Sequence, residues 1–404
     1  MILRARHVAT AAGPPIENGM LEIRDGRILR VERVHGPAPH GAIDLGDAVL
    51  CPGFVNAHTH LELSALAHRV PPSASFTDWL LRVIRESAER LSDDEAIRAS
   101  VRFGIRASLR AGVTTVGDIT RNPATTRSVL ADSPLTAVSF GEVTAIGTRR
   151  SLGHERIAAA IAQGYDQRNV YVGISPHSPY SVEPDVLRQC AQAAREHDLS
   201  VTIHVVETAD EASFTEARSG AFVELLRALG IWDEAVPMSG RTPVGLLAEV
   251  GLLTSRCVLA HANYVTRSDV ELIRRSGASV AYCPRTHAAF GHPPHSFRDF
   301  LRAGVNVCLA TDSLASNPSL SVLDEARFVR RMSPEVDPAL LLEMITIRPA
   351  RALGLEHELG TLEPGKRADV NVLPLPADEP WNAVFHSDGD PRETYLRGAR
   401  VNMA

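Results

Sequence analysis

Residues 48–65 read AVLCPGFVNAHTHLELSA, an apolar run that ends in two histidines separated by one threonine. The run has the composition of a buried β-strand, in which residues i and i+2 point to the same side. His58 and His60 therefore share one face, and both rings can reach one metal ion at the usual distance of about 2.1 Å. Two histidines in this pattern more often pack in the core or lie on the surface. Other parts of the chain are therefore needed to decide whether they bind a metal.

Seven further apolar, β-branched runs follow along the chain, and amphipathic segments separate most of them. Counted after a first strand at residues 48–57, the runs cover residues 112–119, 135–143, 169–175, 200–207, 257–264, 279–284 and 304–312. The intervening segments, such as residues 76–91 and 184–197, carry apolar residues at the i, i+3 and i+4 spacing of helices. Eight strands that alternate with helices over roughly 260 residues predict a (β/α)8 barrel, although an open doubly wound sheet gives a similar pattern.

The two ends of the chain differ from this middle part. Residues 1–50 and 358–404 show short β-like pieces separated by Gly, Pro and Asn turns, without a helical period. We therefore expect residues 51–357 to form the barrel and the two terminal segments to form a small β domain together.

Composition limits the class of protein. The 404 residues are 44% hydrophobic and 22% charged, with a formal net charge of −6, which gives no reason to expect nucleic acid or an anionic membrane as a partner. The first residues lack the apolar core of a signal peptide, and no run is long enough to span a membrane. Five scattered cysteines without a CxxC pair suit a reducing compartment. We expect a cytoplasmic protein, and a homodimer is left open.

In a barrel of this kind, chemistry takes place at the C-terminal ends of the strands. Titratable side chains occupy these positions in the present sequence: His58, His60, His177, His204, Glu207, His261, His287 and Asp312. Each of them alone has an ordinary structural explanation, such as core packing or a helix cap. Imidazoles and a carboxylate at five of the eight strand ends are costly to bury without a shared use, so together they predict a metal site.

Here the chain resembles the amidohydrolase superfamily, in its cytosine-deaminase-like and chlorohydrolase-like branch. The likeness rests on PGFVNAHTH (52–60), HVVET (204–208), LAHANYV (259–265), LATDSLASN (309–317) and GTLEPGKRADVNVL (360–373). It implies a (β/α)8 TIM barrel with a small β-sandwich domain built from the N- and C-terminal segments. It also implies one divalent ion, zinc or iron, held by His58, His60, His204 and Asp312.

The number of lysines limits which kinds of metal site this chain can form. Binuclear barrel hydrolases commonly bridge two ions with a carbamylated lysine near the end of strand 4, and the only lysine of this chain is Lys366 in the C-terminal segment. A lysine-bridged binuclear site is therefore excluded, and a single ion is expected, with zinc before iron.

The resemblance also implies roles for the remaining groups. The cation would lower the pKa of a water, and Asp312 would accept the proton of that water. His261 would stabilise the oxyanion or hold the hydroxide, and Glu207 would carry a proton to a ring nitrogen of the substrate so that ammonia leaves. The alternative for Glu207 is a surface acid in the first turn of the next helix.

The expected partner is a small-molecule substrate. The segments HTHLELS, SPHSPYS and CPRTHAAFGH look closest to 6-aminodeoxyfutalosine and adenosine-type nucleoside deaminases. Glu62 would then accept ribose hydroxyls, and His177 and His287 would contact the sugar or its substituent, with a purely structural role as the alternative for each.

Three alternatives stay open at this point. The sequence departs from many relatives at residues 283–287, where a Ser-Asn pair is common, which leaves the exact substrate open. The same ion and acid could also serve triazine dechlorination or the opening of a cyclic amide. A non-catalytic binding or scaffold protein is less favoured, because all four proposed ligands are present. For His292 and His295 a solvated, proline-rich loop is favoured over a place in the pocket.

Overall fold

A computed structural model describes residues 1–163, 168–375, 379–385 and 389–402. Within these ranges the strands are β1 (Ile2–Val8), β2 (Ile16–Arg24), β3 (Arg27–Arg33), β4 (Ala42–Asp44), β5 (Ala48–Pro52), β6 (Phe54–Thr59), β7 (Val113–Thr120), β8 (Thr136–Val143), β9 (Val170–Pro176), β10 (Ser200–Val205), β11 (Cys257–His261), β12 (Ser279–Tyr282), β13 (Asn306–Leu309), β14 (Val370–Pro374), β15 (Glu393–Leu396) and β16 (Ala399–Arg400).

The helices of the same ranges are α1 (Phe76–Arg90), α2 (Asp94–Arg110), α3 (Pro123–Ala131), α4 (Gly153–Ile161), α5 (Pro184–Glu196), α6 (Ala209–Ala217), α7 (Ala221–Ala228), α8 (Pro243–Glu249), α9 (Arg267–Ser276), α10 (Pro284–Ala289), α11 (Phe297–Arg302), α12 (Val322–Met332), α13 (Pro338–Met344), α14 (Ile347–Ala352) and α15 (Pro380–Phe385). Short 3-10 helices span Leu61–Leu66 and Gly147–Leu152. No helix in the described ranges is both long and apolar enough to cross a bilayer.

Eight parallel strands form the predicted barrel. Strands β6 to β13 follow one another around the sheet in chain order, and each pairs in parallel with the next. A parallel bridge between Thr59 and Asp312 joins the last strand to the first, and the Asp312 amide donates a hydrogen bond of 3.1 Å to the His58 carbonyl oxygen. The closed order rules out the open doubly wound sheet, whose strand order reverses at a switch point.

Inward-facing apolar side chains fill the barrel beneath its C-terminal mouth. They come from alternate positions of the strands, as the two-residue period requires, and include Ala57, Val138, Phe140, Val258 and Cys308. Residues at the positions between them, such as Val143 and Ile203, join the larger cluster under the helices. Where the pairing is regular, as in β8, this alternation decides which side chain reaches the mouth of the barrel.

A buried arginine connects the outer helices to the barrel. Arg127 of α3 is 1% exposed, and its guanidinium donates hydrogen bonds of 2.6–2.9 Å to the carbonyl oxygens of Ser139, Ala160 and Ala162. Ser139 lies on β8, and the two alanines lie at the end of α4. The side chain thus fixes α3 and α4 against the same strand.

The two chain ends form a separate mixed sheet with the strand order β16-β15-β14-β5-β1-β2-β3, and β4 pairs with β1. β14 lies antiparallel to β5, with Val370 opposite Pro52, so the C-terminal segment returns to the N-terminal one. The predicted barrel with a β unit from both termini is confirmed. The domain limits of 1–50, 51–357 and 358–404 stay a prediction, and residues 164–167, 376–378, 386–388, 403 and 404 lie outside the described residues.

The sequence pattern predicted a single strand over residues 48–57, and this prediction is wrong. β5 belongs to the terminal sheet, whereas β6 begins at Phe54 and belongs to the barrel. Gly53 separates them, and a Cβ atom at this position would lie 2.4 Å from the Thr114 hydroxyl oxygen. Only glycine allows the chain to pass between the two sheets this closely.

Candidate active site

Four predicted ligands converge at the C-terminal mouth of the barrel. The Nε2 atoms of His60 and His204 are 3.2 Å apart, and Asp312 Oδ1 lies 3.6 Å from His58 Nε2 and 3.5 Å from His60 Nε2. Two ligands about 2.1 Å from one tetrahedral ion are about 3.4 Å apart, so these spacings fit a single cation. Among the described residues, neither ring nitrogen of buried His58 has a hydrogen-bond partner, and a cation beside Nε2 would supply one for that atom.

The strand alternation explains the inward direction of Asp312 and His204. His58 directly follows Ala57, which faces the interior, and it reaches the mouth where the pairing of β6 with β7 is irregular, between Asn56 and Thr59. Cys308 and Ala310 face the barrel interior, and Asp312 is the next residue of that series. Val201 and Ile203 face the helices, so His204 points inward at the end of β10. All four candidate ligands are less than 9% exposed.

Neighbouring groups hold two of the candidate ligands in orientation. His204 Nδ1 lies 2.9 Å from the His177 carbonyl oxygen and donates to it, which leaves Nε2 as the lone-pair atom that faces the other ligands. The Ser316 hydroxyl donates a hydrogen bond of 2.5 Å to Asp312 Oδ2. Burial lowers the pKa of His58 and His60 well below the usual range, so both rings are in the neutral form that binds metal.

Glu207 and His261 lie beside this cluster. Glu207 Oε1 is 3.5 Å from His261 Nε2, and both side chains are buried. Burial raises the pKa of the Glu207 carboxyl well above its usual value, and the carboxylates of Asp312 and Glu211 add to the shift. Glu207 is therefore not the exposed first-turn acid of the structural alternative, and its environment suits a group that carries a proton.

The backbone around these residues adopts left-handed conformations. φ is +44° at Val206, +70° at His261 and +61° at Asp312, a region that non-glycine residues rarely occupy and that is strained for a β-branched valine. Glu211 Oε2 accepts a hydrogen bond of 3.1 Å from the Glu207 amide and so fixes the turn after β10. Strain of this kind persists where the surroundings hold side chains in a required direction.

A cavity of about 270 Å³ opens over the cluster. Its floor is polar and includes His60, His204, Glu207, His261 and Asp312, whereas its walls are mostly apolar, with Trp79, Val83, Ile146, Leu226 and Leu229. Such a pocket suits a small, largely apolar or aromatic molecule that a few polar groups orient at its inner end.

The three predicted substrate-binding residues differ in their surroundings. Glu62 and His177 line the cavity, and His177 Nδ1 lies 2.7 Å from the Ser181 hydroxyl. The Glu62 carboxylate already accepts hydrogen bonds from the Thr120 hydroxyl at 2.7 Å and from the amides of Arg121 and Asn122. Its contact with a sugar stays a prediction.

His287 is not brought to the cavity formed by the described residues. It lies on α10, and its ring nitrogens are 3.0 Å from Asn263 Oδ1 and 2.8 Å from the Pro293 carbonyl oxygen. The solvated loop predicted for His295 is wrong: His295 is 9% exposed, stacks on Tyr282 and donates 2.8 Å to the His261 carbonyl oxygen. His292 is half-buried beside the Tyr264 hydroxyl.

Sequence reasoning did not identify several residues of the cavity. Glu142, Arg121 and Arg156 line one side of it, and Tyr180 packs against Phe222 with ring centroids 3.9 Å apart. A signal for Glu142 was present, because it ends the third strand two positions after Phe140. The other three lie on loops or helices, where no period marks the inward face.

The comparison with known proteins agrees with this geometry. A model described as "Amidohydrolase family" matches residues 49–401. The chain belongs to the amidohydrolase family. This membership confirms the resemblance noted in the sequence and the predicted class of enzyme, a hydrolase of carbon–nitrogen bonds.

Individual relatives and solved structures match nearly the whole chain. The 5-methylthioadenosine/S-adenosylhomocysteine deaminase of Moorella thermoacetica is 27% identical over 98% of this chain and 92% of its own length. The aminodeoxyfutalosine deaminase of Deinococcus radiodurans is 29% identical over 78% of this chain and 76% of its own. A crystal structure of an adenosine deaminase from Xanthomonas campestris with bound zinc superposes with a TM-score of 0.84 at 23% identity, covering 99% of this chain and 92% of that one.

Proposed function

We propose that this protein is a zinc-dependent aminohydrolase that removes the exocyclic amino group of an adenosine-like nucleoside and releases ammonia. The 6-aminodeoxyfutalosine type is the first candidate substrate, and 5-methylthioadenosine the second, because relatives that cover most of the chain carry both names. The observation that carries the proposal is a pair of ligand groups that share His58. One group adds His60 and His204, the other adds His261 and Asp312, the ligand atoms of each group lie within 4.8 Å of one another, and Glu207 lines the same cavity.

In this proposal His58, His60, His204 and Asp312 hold one cation. The unpartnered ring nitrogens of His58 and the ligand spacings of 3.2–3.6 Å support that assignment. Zinc is favoured because imidazole and carboxylate are among its usual ligands and because a structural neighbour contains it. Bound there, the cation would supply a water activated at neutral pH.

The side chains around the cation carry the protons and position the ring. Glu207 delivers a proton to a ring nitrogen of the purine, which makes the amino-bearing carbon electrophilic. Asp312 accepts the proton that the attacking water loses and delivers it to the amino group, which leaves as ammonia. His261 Nε2, which is buried without a hydrogen-bond partner among the described residues, faces the position where the oxygen develops negative charge.

The buried carboxyl group of Glu207 also bears on which group leaves the substrate. An amino group must be protonated before it leaves as ammonia, whereas chloride leaves without a proton. Glu207 and Asp312 are both 5% exposed and line the cavity, so one can protonate the ring while the other protonates the amino group. Two carboxyl groups placed for proton transfer favour deamination over triazine dechlorination, which is the alternative from the same branch.

The test is ammonia release by the purified protein, with metal analysis of the same sample. Aminodeoxyfutalosine, 5-methylthioadenosine, adenosine, cytosine, guanine and atrazine form the substrate panel. We expect about one equivalent of zinc and ammonia from the adenosine-like compounds. Glu207→Gln should lower kcat by roughly 10²–10⁴-fold. Glu216→Gln, on the exposed side of α6, is the matched control.

Two outcomes contradict the proposal. Unchanged turnover by Glu207→Gln removes that residue from the mechanism. Chloride release from atrazine without ammonia from any nucleoside replaces deamination by dechlorination.

A further inference from the structure

A second carboxylate reaches the cavity from the end of the third barrel strand. Val138 and Phe140 of β8 face the barrel interior, so Glu142 is the next inward residue of that strand. Its side chain is 8% exposed and lines the same cavity as His60 and His204. Glu142 thus occupies on β8 the kind of position that His204 occupies on β10.

Strand pairing places Glu142 beside a predicted substrate-binding residue. Glu142 pairs with Ser175 in the parallel register of β8 and β9, and the His177 amide donates 2.9 Å to the Val143 carbonyl oxygen. Glu142 and His177 therefore lie on neighbouring strands at the rim, and the candidate ligand His204 lies on β10, the strand on the other side of β9.

The Glu142 carboxylate lacks donors, in contrast to that of Glu62. Within the described residues its nearest cation is Arg121, whose Nε atom is 3.7 Å from Oε1, and no side chain or amide donates a hydrogen bond to it. Glu62 is saturated by Thr120 and by the amides that follow it. Neither Glu142 oxygen is among the fully buried, unpartnered side-chain atoms of the described residues, so the carboxylate is open to the cavity and a ligand that brings hydroxyl groups can donate to it.

The surrounding charges select the kind of group that Glu142 accepts. Arg121 and Arg156 line the same side of the cavity, and both guanidiniums act on the Glu142 carboxyl. An ammonium group would be repelled by these two arginines, and a carboxylate would be repelled by Glu142 itself. Neutral hydroxyl donors fit both restrictions, and a carboxylate can accept two of them at once.

We propose that Glu142 binds the 2′- and 3′-hydroxyls of the sugar and thereby selects nucleosides with an intact vicinal diol. The assignment rests on the proposed nucleoside deamination. This proposal assigns the contact with the diol to Glu142 instead of Glu62. Glu62 then has the role of fixing the loop after β7.

Steady-state kinetics with adenosine and 2′,3′-dideoxyadenosine test this assignment, because the two compounds differ only in the diol. Zinc-loaded wild-type protein should prefer adenosine by about tenfold or more in kcat/KM, since hydrogen bonds to a charged group are strong. Glu142→Gln should remove most of this preference, mainly through a higher KM for adenosine, and should leave dideoxyadenosine turnover within about twofold. Glu155→Gln, exposed on α4, serves as the matched control.

Each contrary result has a distinct meaning. Equal kcat/KM for the two nucleosides in the wild type overturns the diol assignment without any variant. A preference that survives Glu142→Gln but is lost in Glu62→Gln overturns it in favour of Glu62. Ammonia release from neither nucleoside, nor from any other adenosine-like compound, overturns the proposed function itself. Thermal unfolding of Glu142→Gln checks that the variant is folded, and Glu142→Asp, which withdraws the carboxylate by one methylene, should also lose the preference.

Discussion

Replacing Ser316 by alanine should weaken metal binding without removing a ligand. Its hydroxyl donates a hydrogen bond of 2.5 Å to Asp312 Oδ2, and both residues are buried. A hydrogen bond to a charged group is worth about 1.5–3 kcal/mol, and its loss also leaves a carboxylate oxygen without a donor. Since about 1.4 kcal/mol is a factor of ten in affinity, we expect the dissociation constant for zinc to rise about tenfold to a hundredfold.

The measurement is a zinc titration of the metal-free protein in competition with a chromogenic chelator. Ser108→Ala is the matched control, because Ser108 is fully buried on α2 and its hydroxyl has no hydrogen-bond partner in the described part of the chain. Ser108→Ala should bind zinc as the wild type does. A dissociation constant for Ser316→Ala within twofold of the wild-type value would refute the reasoning that this hydroxyl supports the Asp312 ligand.

Two more predictions follow from buried groups elsewhere. Arg127→Met should lower the free energy of unfolding by about 2 kcal/mol or more, measured by urea denaturation, because the buried carbonyl oxygens of Ser139 and Ala160 lose their donor at about 1–3 kcal/mol each; an unchanged midpoint would contradict this. Glu211→Ala should lower kcat while the zinc content stays at one equivalent, because the Glu207 amide loses its acceptor in a strained turn. Glu211→Gln, which keeps an acceptor oxygen, should recover part of that loss; equal activity of Glu211→Ala and wild type would show that Glu207 needs no such support.

Much of the barrel was readable from the sequence, because its strands are short apolar runs and each must place its final side chains at one mouth. The two-residue period puts His204 and Asp312 inward whatever the helices do. The same alternation places Glu142 inward, but a single glutamate on a strand, unlike a pair of histidines, does not by itself indicate a functional site.

Other parts depended on contacts that no local pattern contains. Gly53 divides one apolar run between two sheets because Thr114 lies against it, and Thr114 is remote in the chain. His295 lies in a proline-rich segment that reads as solvated, yet its ring is buried by stacking on Tyr282. Oligomeric state and cellular location stay predictions.

The bridge that closes the barrel is made by the same stretch of chain that supplies the candidate ligands. Thr59 donates a hydrogen bond of 3.0 Å to the Asp312 carbonyl oxygen across 253 positions of sequence, and His58 and His60 flank that contact. A cation bound by residues of both segments would link the first strand of the barrel to the last, and this link would be lost with the metal. Joining segments so distant in the chain costs loop-closure entropy, which the bound cation would offset, so metal loss would loosen the contact between Thr59 and Asp312 before the other strand pairs.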